Sequence, residues 1–160
     1  MPTRSQQSCR TPSMATTGCD AEARAREPMA YFAHDSNAAQ DFKCQKLLAR
    51  WGNEGYGAWW RLCEMLASAT GHALLLETDE DWTIVATQTG MLGTPDDGFT
   101  GAGKCKAFMR DLVEIGLIVE GEDGRFSSVR MQRNARVLGV QRAAGSKGGR
   151  PRKNARVDEE

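Results

Sequence analysis

Three observations predict a mainly helical α+β fold. Four segments carry the apolar period of helices, two short apolar runs after them flank a Gly-Glu-Asp-Gly turn, and the helix before that turn turns Lys and Arg outward. Helices, then a helix with a basic outer face, then a hairpin is the order of a winged helix-turn-helix with a β-hairpin wing. The length of 160 residues suits one such domain with flexible ends. The expected boundaries are a disordered extension over 1–28, the winged-helix domain over 29–131, and a basic flexible arm over 132–160.

Residues 1–28 are rich in Ser, Thr, Arg, Ala and Pro, with Met1 and Met14 their only large apolar side chains. That composition predicts disorder. Apolar patterning begins at Met29, which is either the true start of translation or the edge of the folded domain. From Asp41, residues Cys44, Leu47, Leu48 and Trp51 mark one face of a short helix that Gly52 stops. Tyr56, Trp59, Trp60, Cys63, Leu66 and Ala67 then continue the period to Thr70 and Gly71, and this is the core helix. Leu74, Leu75 and Leu76 are too few for a helix and read as a small strand. Thr78 followed by Asp81 reads as a capping box that opens a third helix, with Trp82, Val85 and Ala86 on one face and Gly90 at its end. The glycine-rich segment 93–103 is a loop. Cys105, Phe108, Leu112 and Ile115 mark a fourth helix that ends at Gly116, with Lys104, Lys106 and Arg110 in outward positions. Leu117 to Val119 and Phe126 to Met131 are the hairpin strands. Residues 132–142 suit a basic helix, whereas Gly145 to Lys153 cannot form a packed element.

Twenty-one basic and twenty-one acidic residues give zero net charge, but they are segregated. Residues 35–124 hold seven basic and fifteen acidic residues, and residues 125–156 hold ten basic and none acidic. A cationic block without counter-charges suits a polyanion, and the bland alternative is a solvated tail. No run approaches the ~18 apolar residues of a membrane span, nor does the start have the apolar core of a secretory signal, so the chain reads as cytosolic. Five cysteines without a C-x-x-C pair indicate neither a disulfide framework nor structural zinc. His34 and His72 lack ligand spacing, and His34 with Asp35 and Asn37 is expected to fix the entry turn. The four tryptophans have core spacing rather than the layout of base-stacking platforms. Neither a nucleophile elbow nor a phosphate loop occurs, so no enzymatic activity and no cofactor are expected.

The stretch Tyr31-Phe32-Ala33-His34-Asp35-Ser36-Asn37-Ala38, then Asp41, Lys43, Lys46-Leu47 and Gly52 to Trp60, resembles the N-terminal domain of DnaD-like replisome organisers. Those proteins occur in phages and integrated elements of Gram-positive bacteria. Residues 126–131 and Lys147 to Pro151 are similar to the segments after the wing in those proteins, so the resemblance covers about residues 29–153. It implies a winged helix that binds a replication origin. Full-length organisers carry a second, helicase-loader-contacting domain after the basic linker; the sequence ends at Glu160, which leaves loader recruitment open.

The partner so implied is double-stranded DNA, with other replication proteins and a homo-oligomer as further candidates. Lys104, Lys106 and Arg110 are the expected groove contacts, and Arg125 and Arg130 the wing contacts. Arg133, Arg136, Arg142, Lys147, Arg150, Arg152 and Lys153 are the expected phosphate clamp. Gly149 to Lys153 also resembles an AT-hook core, although Lys147-Gly148 stands where Pro-Arg is usual. Lys43, Lys46 and Arg50 form a further basic stripe. The bland alternative for Lys104, Lys106 and Arg110 is a solvated helix face salt-bridged by Asp111 or Glu114, for Gly149 to Lys153 a non-specific phosphate-binding tail, and for Lys43, Lys46 and Arg50 ordinary solubility. A transcriptional regulator on the same fold, or a protein-interaction module with an acidic body, are the alternative functions.

Overall fold

The computed structural model describes residues 14–145, with side chains from residue 18 onward. Five α-helices and three short strands make a mainly helical α+β architecture: α1 (Met14–Ala25), α2 (Phe42–Ser68), β1 (Ala73–Leu75), α3 (Asp79–Thr89), α4 (Gly103–Ile115), β2 (Val119–Glu120), β3 (Arg125–Ser127) and α5 (Val129–Gly145). The strands form one antiparallel sheet in the order β1-β3-β2. Leu74 lies opposite Phe126, which in turn lies opposite Glu120.

The two expected helices between Asp41 and Thr70 are the two arms of α2, which meet at Gly52 with φ 60° and ψ −158°. Asp41 caps the first arm, its carboxylate accepting from the amides of Lys43 and Cys44. Gly55 is required where the arms meet, because a Cβ there would stand 2.1 Å from Cβ of Trp51. Trp51 instead leans edge-on against Phe108, with ring centroids 5.4 Å apart. Leu47, Leu62, Leu66, Phe108, Leu112 and Ile118 are all fully enclosed and form the centre of the core. Trp59 is buried; Trp60 is half-buried, with His34 stacked on it at 3.6 Å. The expected capping box opens α3, where Thr78 Oγ1 accepts from the Asp81 amide and Asp81 accepts from the Thr78 amide.

Two regions differ from the expectation. Residues Met14–Ala25, expected to be disordered, form a helix that packs along α5. Small side chains allow it: Gly139 lies against the backbone of Ala21 and Ala25, where a Cβ would meet the Ala21 carbonyl at 2.4 Å. The end of α1 is tied down by Gly71 N–H donating to the Arg26 carbonyl (2.8 Å) and by the buried His72 ring, whose Nε2 lies 3.1 Å from the Ala25 carbonyl.

The expected second hairpin strand, 126–131, stops at Ser127, and α5 begins at Val129. Met131, Ala135, Gly139 and Ala143 recur every four residues and are all buried. They form the inner face of a helix, and only Phe126 of the expected strand faces the core from the sheet. The arm expected to be flexible over 132–160 is therefore corrected in its first part, since residues 132–145 belong to α5 and pack on α1 and the core; beyond Gly145 it lies outside the described residues.

Candidate functional site

The outer face of α4 was the expected recognition surface, and most of its charge is already engaged. Lys104 is buried at 9% exposure rather than outward. Its Nζ lies 2.7 Å from Glu54 Oε1 on α2 and 3.2 Å from Asp97 Oδ2 in the loop before α4. The hydrogen bond to Glu54 raises its pKa further, so the ammonium is a fixed internal charge that ties α2, the loop and α4 together. As a groove contact Lys104 is therefore corrected. Lys106 is half-exposed, but it spans to α3, with Nζ 3.0 Å from Asp79 Oδ1 and 5.5 Å from the centre of the Trp82 ring. Arg110 is exposed, and no carboxylate among the described residues lies within ion-pair distance of it.

Glu114 lies within the electrostatic reach of Arg110 but not within ion-pair distance, and with Asp111 it is held chiefly from the other side. Arg50 on α2 forms a bidentate pair with Glu114, at 3.0 Å to each oxygen, and lies 3.7 Å from Asp111. The guanidinium holds the Glu114 carboxyl below the usual carboxylate range. Trp51 Nε1 donates to Asp111 Oδ2 at 2.9 Å. Lys43 donates to the Gly116 carbonyl at 2.6 Å and so caps the end of α4, where the helix dipole favours a cation. Lys46 lies over the Phe42 ring at 4.8 Å. The expected basic stripe on α2 thus serves mainly to clamp α4 to α2.

The hairpin is acidic. Glu120, Glu122 and Asp123 are exposed on it, and its one cation, Arg125, pairs with Asp123 at 3.3 Å. Arg130 belongs to α5 rather than to a strand and is paired with Asp35, which anchors the 31–41 segment. The entry turn itself is closed by backbone bonds, Ala38 N–H to the Asp35 carbonyl and Gln40 N–H to the Asn37 carbonyl, and Asn37 makes no side-chain cap. Arg142 is also spent internally: its guanidinium donates to the carbonyls of Arg24, Glu27 and Pro28 and lies 3.5 Å from the Glu27 carboxylate. Arg133 and Arg136 are exposed without an ion pair among the described residues.

Of the expected contacts, Arg110, Arg133 and Arg136 are therefore the cations presented unpaired to solvent, on two different helices. Lys147, Arg150, Arg152 and Lys153 lie outside the described residues. Among the described residues no group of three His, Cys, Asp or Glu side chains could hold a metal ion. Nor is any described helix long and apolar enough to cross a membrane. The sequence reading missed the outer face of α5, where Val129, Val137 and Val140 are more than half exposed beside the free arginines. The four-residue recurrence from Met131 to Ala143 is the signal that could have placed it.

No curated protein matches the chain, and no solved structure does. A family model described as Lin1244/Lin1753-like, N-terminal, matches residues 31–131, which is most of the chain and runs from the entry segment into the first turn of α5. The chain belongs to the Lin1244/Lin1753-like N-terminal family.

Proposed function

We propose that the chain is a winged helix-turn-helix DNA-binding protein of a phage or other mobile element, acting in the initiation of DNA replication. The observation that carries this reading is the succession α2, β1, α3, α4, β2 and β3 with the sheet order β1-β3-β2. Helix, strand, two helices and a hairpin are the parts of a winged helix-turn-helix in their usual order, with α4 in the position of the recognition helix. Replication, rather than transcription, is favoured by the resemblance of residues 31–60 to DnaD-like organisers.

In this reading Arg110 is the base-reading or phosphate-reading side chain of α4, and the charge balance sets the rest. The acidic 35–124 segment repels a duplex, so affinity comes from the cationic block 147–156, which holds Lys147, Arg150, Arg152, Lys153 and Arg156 and no acid. The acidic hairpin lends weight to a second reading, a protein-interaction module of the replication machinery, in which the wing meets a basic partner.

Fluorescence anisotropy of the full chain on labelled duplex DNA, with salt raised in steps, tests the proposal. Binding should weaken steeply with salt, and replacing Lys147, Arg150, Arg152 and Lys153 by Ala should flatten the slope by about 0.9 per cation removed. Arg110→Ala should narrow the difference between preferred and random duplexes by about 1–3 kcal/mol. A full chain that binds no duplex even at low salt overturns the proposal in favour of the protein-interaction reading.

A further inference from the structure

α5 packs its inner face on the core and on α1, yet its outer face is not what a solvated helix presents. Val129 is 63% exposed, Val137 53% and Val140 60%, and no acidic residue occurs between Val129 and Gly145. Arg133 precedes Val137 by one turn, and Arg136 precedes Val140 by one turn, so each valine has an arginine beside it along the helix. Both arginines lack an ion pair among the described residues. Arginine alone would suit phosphate, but an exposed apolar ridge lined with arginine suits a surface that offers apolar side chains and carboxylates together.

The chain carries such a surface elsewhere. On the outer face of α3, Glu80 precedes Ile84 by one turn; Ile84 is 54% exposed, and the two border a shallow groove with Asp79 and Thr83. Asp79 is engaged by Lys106, whereas Glu80 has no ion-pair partner among the described residues. The match extends to direction. With α3 and α5 of two copies running the same way, Arg stands opposite Glu80 in the same step that Val stands opposite Ile84.

We infer that the outer face of α5 docks onto the outer face of α3 of a second copy of this chain. The two faces are different, so the contact is head-to-tail: each copy keeps one of each face open, and association continues unless a ring closes. One helix on one helix falls short of the ~1,600 Å² typical of stable complexes, so the association is weak and rises with concentration. Arg110 and the hairpin take no part in it.

Charge reversal tests the inference with the full chain. Sedimentation velocity of the wild type should show a weight-average mass that climbs above the monomer's 17.5 kDa with concentration and falls back in high salt. Glu80→Arg alone, and Arg133→Glu with Arg136→Glu alone, should each stay monomeric, because like charges then face each other. An equimolar mixture of the two should associate again, since the reversed α3 face of one matches the reversed α5 face of the other. Circular dichroism and thermal melting of each variant check that these exposed substitutions leave the fold intact. A wild type that stays monomeric throughout, single variants that associate as the wild type does, or a mixture that fails to associate overturns the inference. If the wild type is monomeric and the arginine reversal abolishes duplex binding, the α5 face belongs to DNA.

Discussion

The α4 and hairpin end of the molecule and the α5 face carry similar numbers of cations, and they use them in opposite ways. Around α4, Lys104, Lys106, Arg50 and Arg125 each meet a carboxylate within 3.3 Å. On α5, Arg130 and Arg142 are bound to the 27–35 region, but Arg133 and Arg136 face water with valines for neighbours. Charge counted along a sequence is thus a poor guide to charge offered at a surface, because pairing decides how much of it remains. At the α4 end the core is built from large apolar side chains and the cations around it are spent on ion pairs; along α5, small-residue packing holds the helix and leaves part of its charge for something else.

Filling the α5 packing should produce the largest effect that separates the two regions. A side chain at Gly139 has no space, with the Ala21 carbonyl 2.4 Å and the Ala25 Cβ 2.7 Å from where its Cβ would lie. Gly139→Val should cost about 1–3 kcal/mol through overpacking. Hydrogen exchange should show the loss concentrated in α1 and α5, with α4 amides still protected. Equal loss of protection in α4 would mean that the α1–α5 pair and the α4 end melt as one unit.

The converse substitution is at Lys104. Lys104→Ala leaves Asp97 and Glu54 without their shared ammonium at the α2–α4 junction, at an expected cost of about 1–2 kcal/mol, since Glu54 remains open to water. It should lower the melting temperature and leave the salt slope of duplex binding unchanged, because this charge is not presented to a ligand. A flattened slope with unchanged stability would return Lys104 to the surface role that its position in the sequence suggests.

The features legible in the sequence are those that short-range chemistry encodes. Gly52 and Gly116 end helical segments through left-handed or otherwise non-helical backbone, the Thr78–Asp81 pair makes the cap its spacing implies, and Gly121 to Gly124 closes the hairpin. The helix of residues 14–25 was not legible, because Ala and Gly contribute little to a hydropathy period even where Ala21 and Ala25 fit closely against Gly139, and for α5 the four-residue recurrence of Met131, Ala135, Gly139 and Ala143 is the one trace of its inner face. Nor were the paired cations legible. Lys104 meets a glutamate fifty residues away and Arg50 one sixty-four away, and nothing local to either marks the partner. The candidate surface suffered most from this, since it depends on which charges the tertiary fold leaves over.

Acid should distinguish the two regions most finely. At the α3 and α4 end, hydrogen bonds from Thr78 hold the Asp81 carboxyl below the ordinary carboxylate range, and Arg50 does the same for Glu114. A carboxyl whose pKa is lower in the folded chain than in the unfolded one adds stability that is fully present above the unfolded value, about 4. That stability is lost as pH falls through the lower folded values. α5 has no carboxylate within its own span, so its contacts with α1 through Ala21, Ala25 and Gly139 do not titrate. Between neutral pH and about pH 3, amides at the start of α3 and along α4 should therefore lose protection first, after correction for intrinsic exchange rates. Glu114→Gln keeps a hydrogen-bonding group beside Arg50 but removes the titration, and should flatten the acid dependence of α4 while lowering its stability at neutral pH. Loss of α5 protection ahead of α4 would instead show that the Asp81 and Glu114 carboxyls do not set the acid response of the fold.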